Sequence, residues 1–202
     1  RLHLGRMARR LGDVAVARRE LALANESLHN EDPSRLLLFG GGLPREALPV
    51  ILYPSSGAYY NASGAPQWSG AQYDGKIRIP LSDRMDSGLD AVIAHEMTHY
   101  VVHQVAGTAV PAWLDEGLAQ LAERRDDAWA HAEISRASRL YSLPELNEPF
   151  ARLGSAGQAR LAYAQALVTT RRLVDQVGMP RMRGIRDQLA SGRGIEEIVD
   201  IR

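Results

Sequence analysis

One short pattern constrains this chain more than any other: His95-Glu96-Met97-Thr98-His99, set inside a mostly apolar stretch. Its flanks carry Leu89, Val92, Ile93, Met97, Tyr100 and Val101 at three- and four-residue steps, which predicts a helix. Asp86, Ser87 or Asp90 can cap the start, and Gly107 punctuates the end. Residues four apart on a helix lie one turn above each other, so His95 and His99 project side by side. Two imidazoles so placed can fill two corners of a zinc tetrahedron, at about 2.0–2.1 Å per Zn–N bond. Glu96 points beside such a metal rather than at it, where it can take a proton from a water. A buried helix with two histidines and a carboxylate is costly unless something pairs them.

Composition narrows what that something is. The 202 residues contain no cysteine, so disulfides and thiolate metal sites are excluded and a metal must rest on His, Asp or Glu. Lys and Arg number 24 against 24 Asp and Glu, so there is no basic footprint for nucleic acid or an anionic membrane. The length suits one sizeable domain with a small appendage. No apolar run approaches the roughly 20 residues of a membrane span, and none is expected. The chain begins at Arg1 rather than Met and reads as truncated, which leaves a signal peptide and the compartment open.

Taken in order, residues 1–40 predict two helices broken at Gly12-Asp13 and closed by Asp32-Pro33. They look like a single degenerate tetratricopeptide-type hairpin. Such a unit cannot bury its own face and stacks on neighbours, so these helices are a candidate surface for a protein partner. A hairpin packed on the main domain is an equal alternative. The triple glycine Gly40-Gly41-Gly42 lacks a phosphate-loop lysine and reads as a linker, with the domain boundary between 40 and 48. Val50–Pro54 predicts a short buried strand; residues 55–75 predict an ordered loop or a short helix plus loop. In Lys76-Ile77-Arg78-Ile79 the isoleucines alternate with cations, as in a half-exposed strand, and Pro80 suits an edge. An edge strand there could pair an extended peptide through its backbone, which makes Lys76, Ile77, Arg78 and Ile79 candidate substrate-binding residues.

Two histidines leave a zinc site incomplete. The next predicted helix begins at Pro111 and carries Trp113-Leu114-Asp115-Glu116-Gly117-Leu118-Ala119. Folded back beside the first helix, it would bring Glu116 to a His₂Glu set with one open position, as catalytic zinc keeps. Taken alone, Glu116 could simply be a helix-start carboxylate favoured by the dipole. His103 is the other candidate, but three ligands on one straight helix would have to span about 12 Å of rise. Val102 and Val105 also occupy the places where a third-histidine pattern needs Gly and His.

His95-Glu96-x-x-His99 followed by Trp113-Leu114-Asp115-Glu116-Gly117-Leu118-Ala119 resembles the gluzincin zinc metallopeptidases of the peptidase MA-like clan, over roughly residues 48–190. The likeness is closest to short bacterial peptidase MA-like domains, often attached to tetratricopeptide repeats. It implies a mostly helical α+β zincin-like domain over 48–202, with a small sheet, the histidine helix, a glutamate helix and C-terminal helices. It implies Zn²⁺, a peptide or protein substrate, and hydrolysis by a zinc-activated water with Glu96 as general base. It further implies a tyrosine that steadies the oxyanion, and Tyr163 in Tyr163-Ala164-Gln165-Ala166 fits. Asp115 and Gln120 are expected to hold the ligands in place. Pro144, Pro149 and their glycine neighbours suggest a loop over the cleft between residues 141 and 157. Near the strand only Asp74 could hold a free N-terminus, which favours an endopeptidase over an aminopeptidase. A catalytically silent interaction module and a zinc hydrolase of another amide or ester are the alternatives.

Overall fold

The computed structural model describes residues 48–80, 89–107, 110–123 and 126–199. The hairpin expected over 1–40, the boundary at 40–48 and the caps at Asp86 and Ser87 lie outside them. The described elements are β1 (Val50–Tyr53), α1 (Ser56–Ser63), β2 (Gln72–Tyr73), β3 (Ile77–Pro80), α2 (Leu89–Ala106), α3 (Ala112–Ala122) and α4 (Ala128–Arg136). Two 3₁₀ turns, Pro144–Asn147 and Phe150–Arg152, lead into α5 (Ala156–Ala190) and α6 (Ile195–Ile198). The fold is α+β and mostly helical, as expected.

The sheet corrects one expectation. Its strand order is β1-β3-β2, so β3 is the centre and not an edge. It runs parallel to β1, with Val50 opposite Ile77 and Tyr53 opposite Pro80, and antiparallel to β2, with Gln72 opposite Arg78. Ile77 and Arg78 are therefore paired on both sides, while the two-residue β2 leaves Ile79 paired with β1 alone. Ile77 and Ile79 are almost wholly buried, and Arg78 is engaged by Asp74 at 3.0 Å and by the Tyr53 hydroxyl. Pro80 gave the misleading signal: it ends the strand, where its missing N–H costs least. β1 is half-buried along its length rather than fully buried.

Packing then sets the histidine helix. Ile77 and Ile79 meet Ile93 and Met97 in one apolar cluster, which lays the sheet against α2. Gly107, at φ +62°, ends α2 as the sequence suggested. α3 lies against both α2 and α5. Trp113, Leu114 and Leu118 of α3 are fully buried with Ala162, Ala166 and Leu173 of α5 and with Met182, Ile185 and Leu189 further along it. Each such large side chain contributes about 1.5–3 kcal/mol when fully buried. The approach of α3 to α5 needs Gly117, where an added Cβ would sit 2.0 Å from Thr170 Oγ1 and 2.6 Å from the Ala166 carbonyl oxygen.

Gly178 is non-helical, at φ +72° and ψ 162°, so α5 is two helical stretches that meet at a kink there, with α6 following. Pro180 sits just beyond that break, where a helix start tolerates a residue without an N–H. α4 stops at Arg136. The segment expected to lie over the cleft does border it, through Asn147 to Ala151.

Candidate active site

α2 presents His95 and His99 on one face, with ring centroids 4.8 Å apart. α3 faces them with Glu116, whose Oε2 lies 3.4 Å from His95 Nε2 and 3.6 Å from His99 Nε2. These three donors converge in one group with ligand atoms within 4.8 Å of each other. Neighbouring ligands on a tetrahedral zinc with bonds of about 2.0–2.1 Å sit about 3.3–3.4 Å apart. The two distances from Glu116 Oε2 come close to that edge length. Glu116 Oε2 is also buried without a hydrogen bond of its own. An orphaned carboxylate oxygen between two imidazole nitrogens is the arrangement a cation would complete, so the residues fit a metal ion.

The outer nitrogens decide which face of each ring is offered. His95 Nδ1 donates to Glu123 Oε1 at 2.6 Å, so in the neutral ring the lone pair is on Nε2, which points at Glu116. His99 Nδ1 faces Asp115 Oδ1 at 3.0 Å. Asp115 therefore lies beside a histidine ring of the group. Gln120 does not: its amide donates to the backbone carbonyls of Glu116 at 3.3 Å and Tyr163 at 3.0 Å, tying α3 to α5 without touching a ligand side chain. Glu123 escaped the sequence reading, although its place two turns beyond Glu116 on the same helix was a usable signal. His103 does not join the first donor group. Its side chain is 43% exposed and meets Asp115 Oδ2 at 3.0 Å. A second donor group of His99, His103 and Asp115 shares His99 with the first. One neutral imidazole has a single lone pair, so the two groups compete for it.

Charge follows from this crowding. Burial alone would lower the pKa of His95, but the carboxylates of Glu116 and Glu123 outweigh it and hold it at about 9. For Glu116 burial works upward, yet His99 and His95 pull its carboxyl well below the usual range. Glu96 behaves differently. It is 5% exposed, its Oε2 has no hydrogen bond, and burial raises its pKa against the pull of His95 and His99. Tyr163, from α5, donates its hydroxyl to Glu116 Oε1 at 3.3 Å. Burial and the nearby Glu116 charge push its phenol well above the ordinary value, so it stays protonated.

Two cavities meet at this group. One of about 650 Å³ and one of about 490 Å³ share Trp68, Ser69, Ala71, His95, Glu96 and Tyr163 as a common wall. β2 and the loop before it, not β3, border the cleft. Tyr59, fully buried on α1, hydrogen-bonds Ser69 at 2.8 Å, and Ser69 Oγ donates to the Ala71 carbonyl at 2.6 Å, which fixes that loop beside Glu96.

Among the described residues no helix is long and apolar enough to cross a membrane. Comparison with curated proteins and with solved structures finds no match. The family model described as Peptidase MA superfamily matches residues 63–201, well over half of the chain and all of α2, α3 and α5. With a histidine pair, a facing glutamate and a buried carboxylate in one cleft, this chain belongs to the Peptidase MA superfamily.

Proposed function

We propose that the domain is a zinc-dependent endopeptidase of the gluzincin type, with His95, His99 and Glu116 as ligands and Glu96 as general base. The observation that carries this reading is the convergence of those three donors beside a buried, unpaired carboxylate oxygen of Glu96 in an open cleft. When bound, zinc would polarise the scissile carbonyl and lower the pKa of a water in the site. Glu96 takes the water's proton and returns it to the leaving amine, and a pKa raised by burial suits a group that must do both. Tyr163, kept protonated, donates a hydrogen bond to the oxyanion. Asp115 and Glu123 hold the two rings so that Nε2 faces the ion. Cleavage within a chain is favoured because cavity extends to both sides of Glu96. The proposal includes a separate helical unit over 1–40 beside a peptidase domain over 48–202, within which the family match at residues 63–201 falls.

The test is digestion of a mixed peptide library by zinc-loaded wild type and zinc-loaded Glu96→Gln. Cleavage by the wild type alone, with both proteins retaining zinc, is the expected result. Equal cleavage by Glu96→Gln would remove Glu96 from the chemistry, and no cleavage by the loaded wild type would overturn the reading.

A further inference from the structure

His103 stands one turn beyond His99 on α2, in the wall of the smaller cavity. The ring of Tyr73, from β2, meets it edge-on with centroids 6.1 Å apart, which sets its place beside the sheet. Asp115 reaches both histidines from α3: its Oδ2 is 3.0 Å from His103 Nε2, and its Oδ1 is 3.0 Å from His99 Nδ1. The first of these contacts is a hydrogen bond. The second is close but is not one, because His99 Nδ1 and Asp115 Oδ1 are both buried without a hydrogen-bond partner. Two polar atoms removed from water and left unpartnered cost free energy that a shared cation would recover. Ligand atoms at about a right angle on metal bonds of about 2.0–2.2 Å sit about 3 Å apart, so both contacts suit one ion. The donors of His99, His103 and Asp115 also lie within 4.8 Å of one another, as close a grouping as that of His95, His99 and Glu116.

We infer that His99 Nδ1, His103 and Asp115 form a second, outer site for a divalent transition ion, filled only when the inner set is not. Imidazole with carboxylate selects ions such as zinc, cobalt or nickel over magnesium and calcium. The exclusion comes from His99. With an ion on Nε2 the ring proton sits on Nδ1; with an ion on Nδ1 it sits on Nε2, facing Glu116 Oε2 at 3.6 Å. Passage of an ion from the outer to the inner set therefore moves one ring proton from Nε2 to Nδ1 through water and leaves the net charge unchanged. His103, at 43%, is the most exposed of these donors, so the outer site is the first that an incoming ion meets. The exclusion rests on the reading of His95, His99 and Glu116 as zinc ligands, whereas binding at the outer site does not.

The test is zinc binding by the full-length chain, followed by calorimetry and by long-range ¹H–¹⁵N spectra of the histidine rings. His95→Ala dismantles the inner set and is expected to hold one zinc, with metal-bound nitrogen shifts at His99 Nδ1 and at His103. Glu116→Gln, of the same shape as the native residue, serves if His95→Ala fails to fold. His95→Ala/His103→Ala is expected to hold none. The wild type is expected to hold one zinc, on His99 Nε2. Equal zinc in the single and double variants would overturn the outer site, and so would binding by the wild type that His95→Ala abolishes, which would leave the inner set standing. Two zinc ions in the wild type would overturn the exclusion. Wild-type binding abolished by His103→Ala but kept by His95→Ala would do the opposite, leaving the outer site and removing the inner ligand assignment.

Discussion

Glu123 Oε1 accepts a hydrogen bond from His95 Nδ1 at 2.6 Å, two turns beyond Glu116 on the same face of α3. One helix therefore supplies both a donor to the candidate metal group and the anchor of a ring belonging to that group. Partners of this kind fix the tautomer and raise the basicity of a histidine ligand. Glu123→Gln keeps the shape and removes the charge. It is expected to weaken zinc binding about 10-fold, measured by competition with a chelator, with little change in fold by circular dichroism. Unchanged affinity would reduce Glu123 to a surface ion pair.

α3 also depends on a residue with no side chain. Gly117 follows Glu116 at the closest approach of α3 to α5, where Thr170 Oγ1 donates to the Trp113 carbonyl at 3.3 Å. Gly117→Ala would drive a Cβ into Thr170 and the Ala166 backbone, and overpacking of this kind costs about 1–3 kcal/mol or more. Gly184, exposed and in the interior of α5 with open space at its Cβ position, is the control. Gly184→Ala should stabilise by up to about 1 kcal/mol through helix propensity. Denaturant midpoints of the two variants should move in opposite directions.

Much of this site was legible because its logic is local. The three- and four-residue spacing of Val92, Ile93, Met97 and Tyr100 specified the α2 helix, and the same helix period stacked His95 on His99. Glu116 could be expected because it sits on the next helix after a short loop. What stayed hidden depends on contacts distant in sequence. Ile77 and Ile79 alternate with Lys76 and Arg78 in the same way at an edge or at the centre of a sheet. Only pairing with Val50–Tyr53 on one side and Gln72–Tyr73 on the other decides between them. Gly117 is likewise silent until α5 lies against it, and Trp129 becomes part of the cleft only when α4 packs on α5.

The segment that borders the smaller cavity should report on acid. Glu145 accepts from the Ser142 backbone N–H at 2.8 Å and from the Ser142 hydroxyl at 2.7 Å, and it pairs with Arg139. The Ser142 backbone bond, then Arg139, lower its pKa to about 2. Because the folded value lies below the unfolded one, the turn gains stability above the ordinary glutamate range and loses it as pH falls through about 2. An NMR titration should place the Glu145 midpoint well below that of an unperturbed glutamate, and Arg139→Ala should move it upward. A midpoint unaffected by Arg139→Ala would leave the two Ser142 hydrogen bonds as the cause.

Tyr163 offers the sharpest separation of chemistry from scaffold. Its hydroxyl reaches Glu116 Oε1 at 3.3 Å, while its ring packs edge-on against Phe150 with centroids 5.2 Å apart. Tyr163→Phe deletes the donor and keeps the ring contact. Removing one donor to a developing oxyanion costs about 10²–10³ in kcat. The expected outcome is therefore a fall of that order in kcat with KM and zinc content nearly unchanged. If zinc content fell instead, the hydroxyl would be acting through Glu116 as a support for the ligand set. A kcat within about 2-fold of wild type would take Tyr163 out of the reaction, because an oxyanion donor worth only that much would contribute about 0.4 kcal/mol.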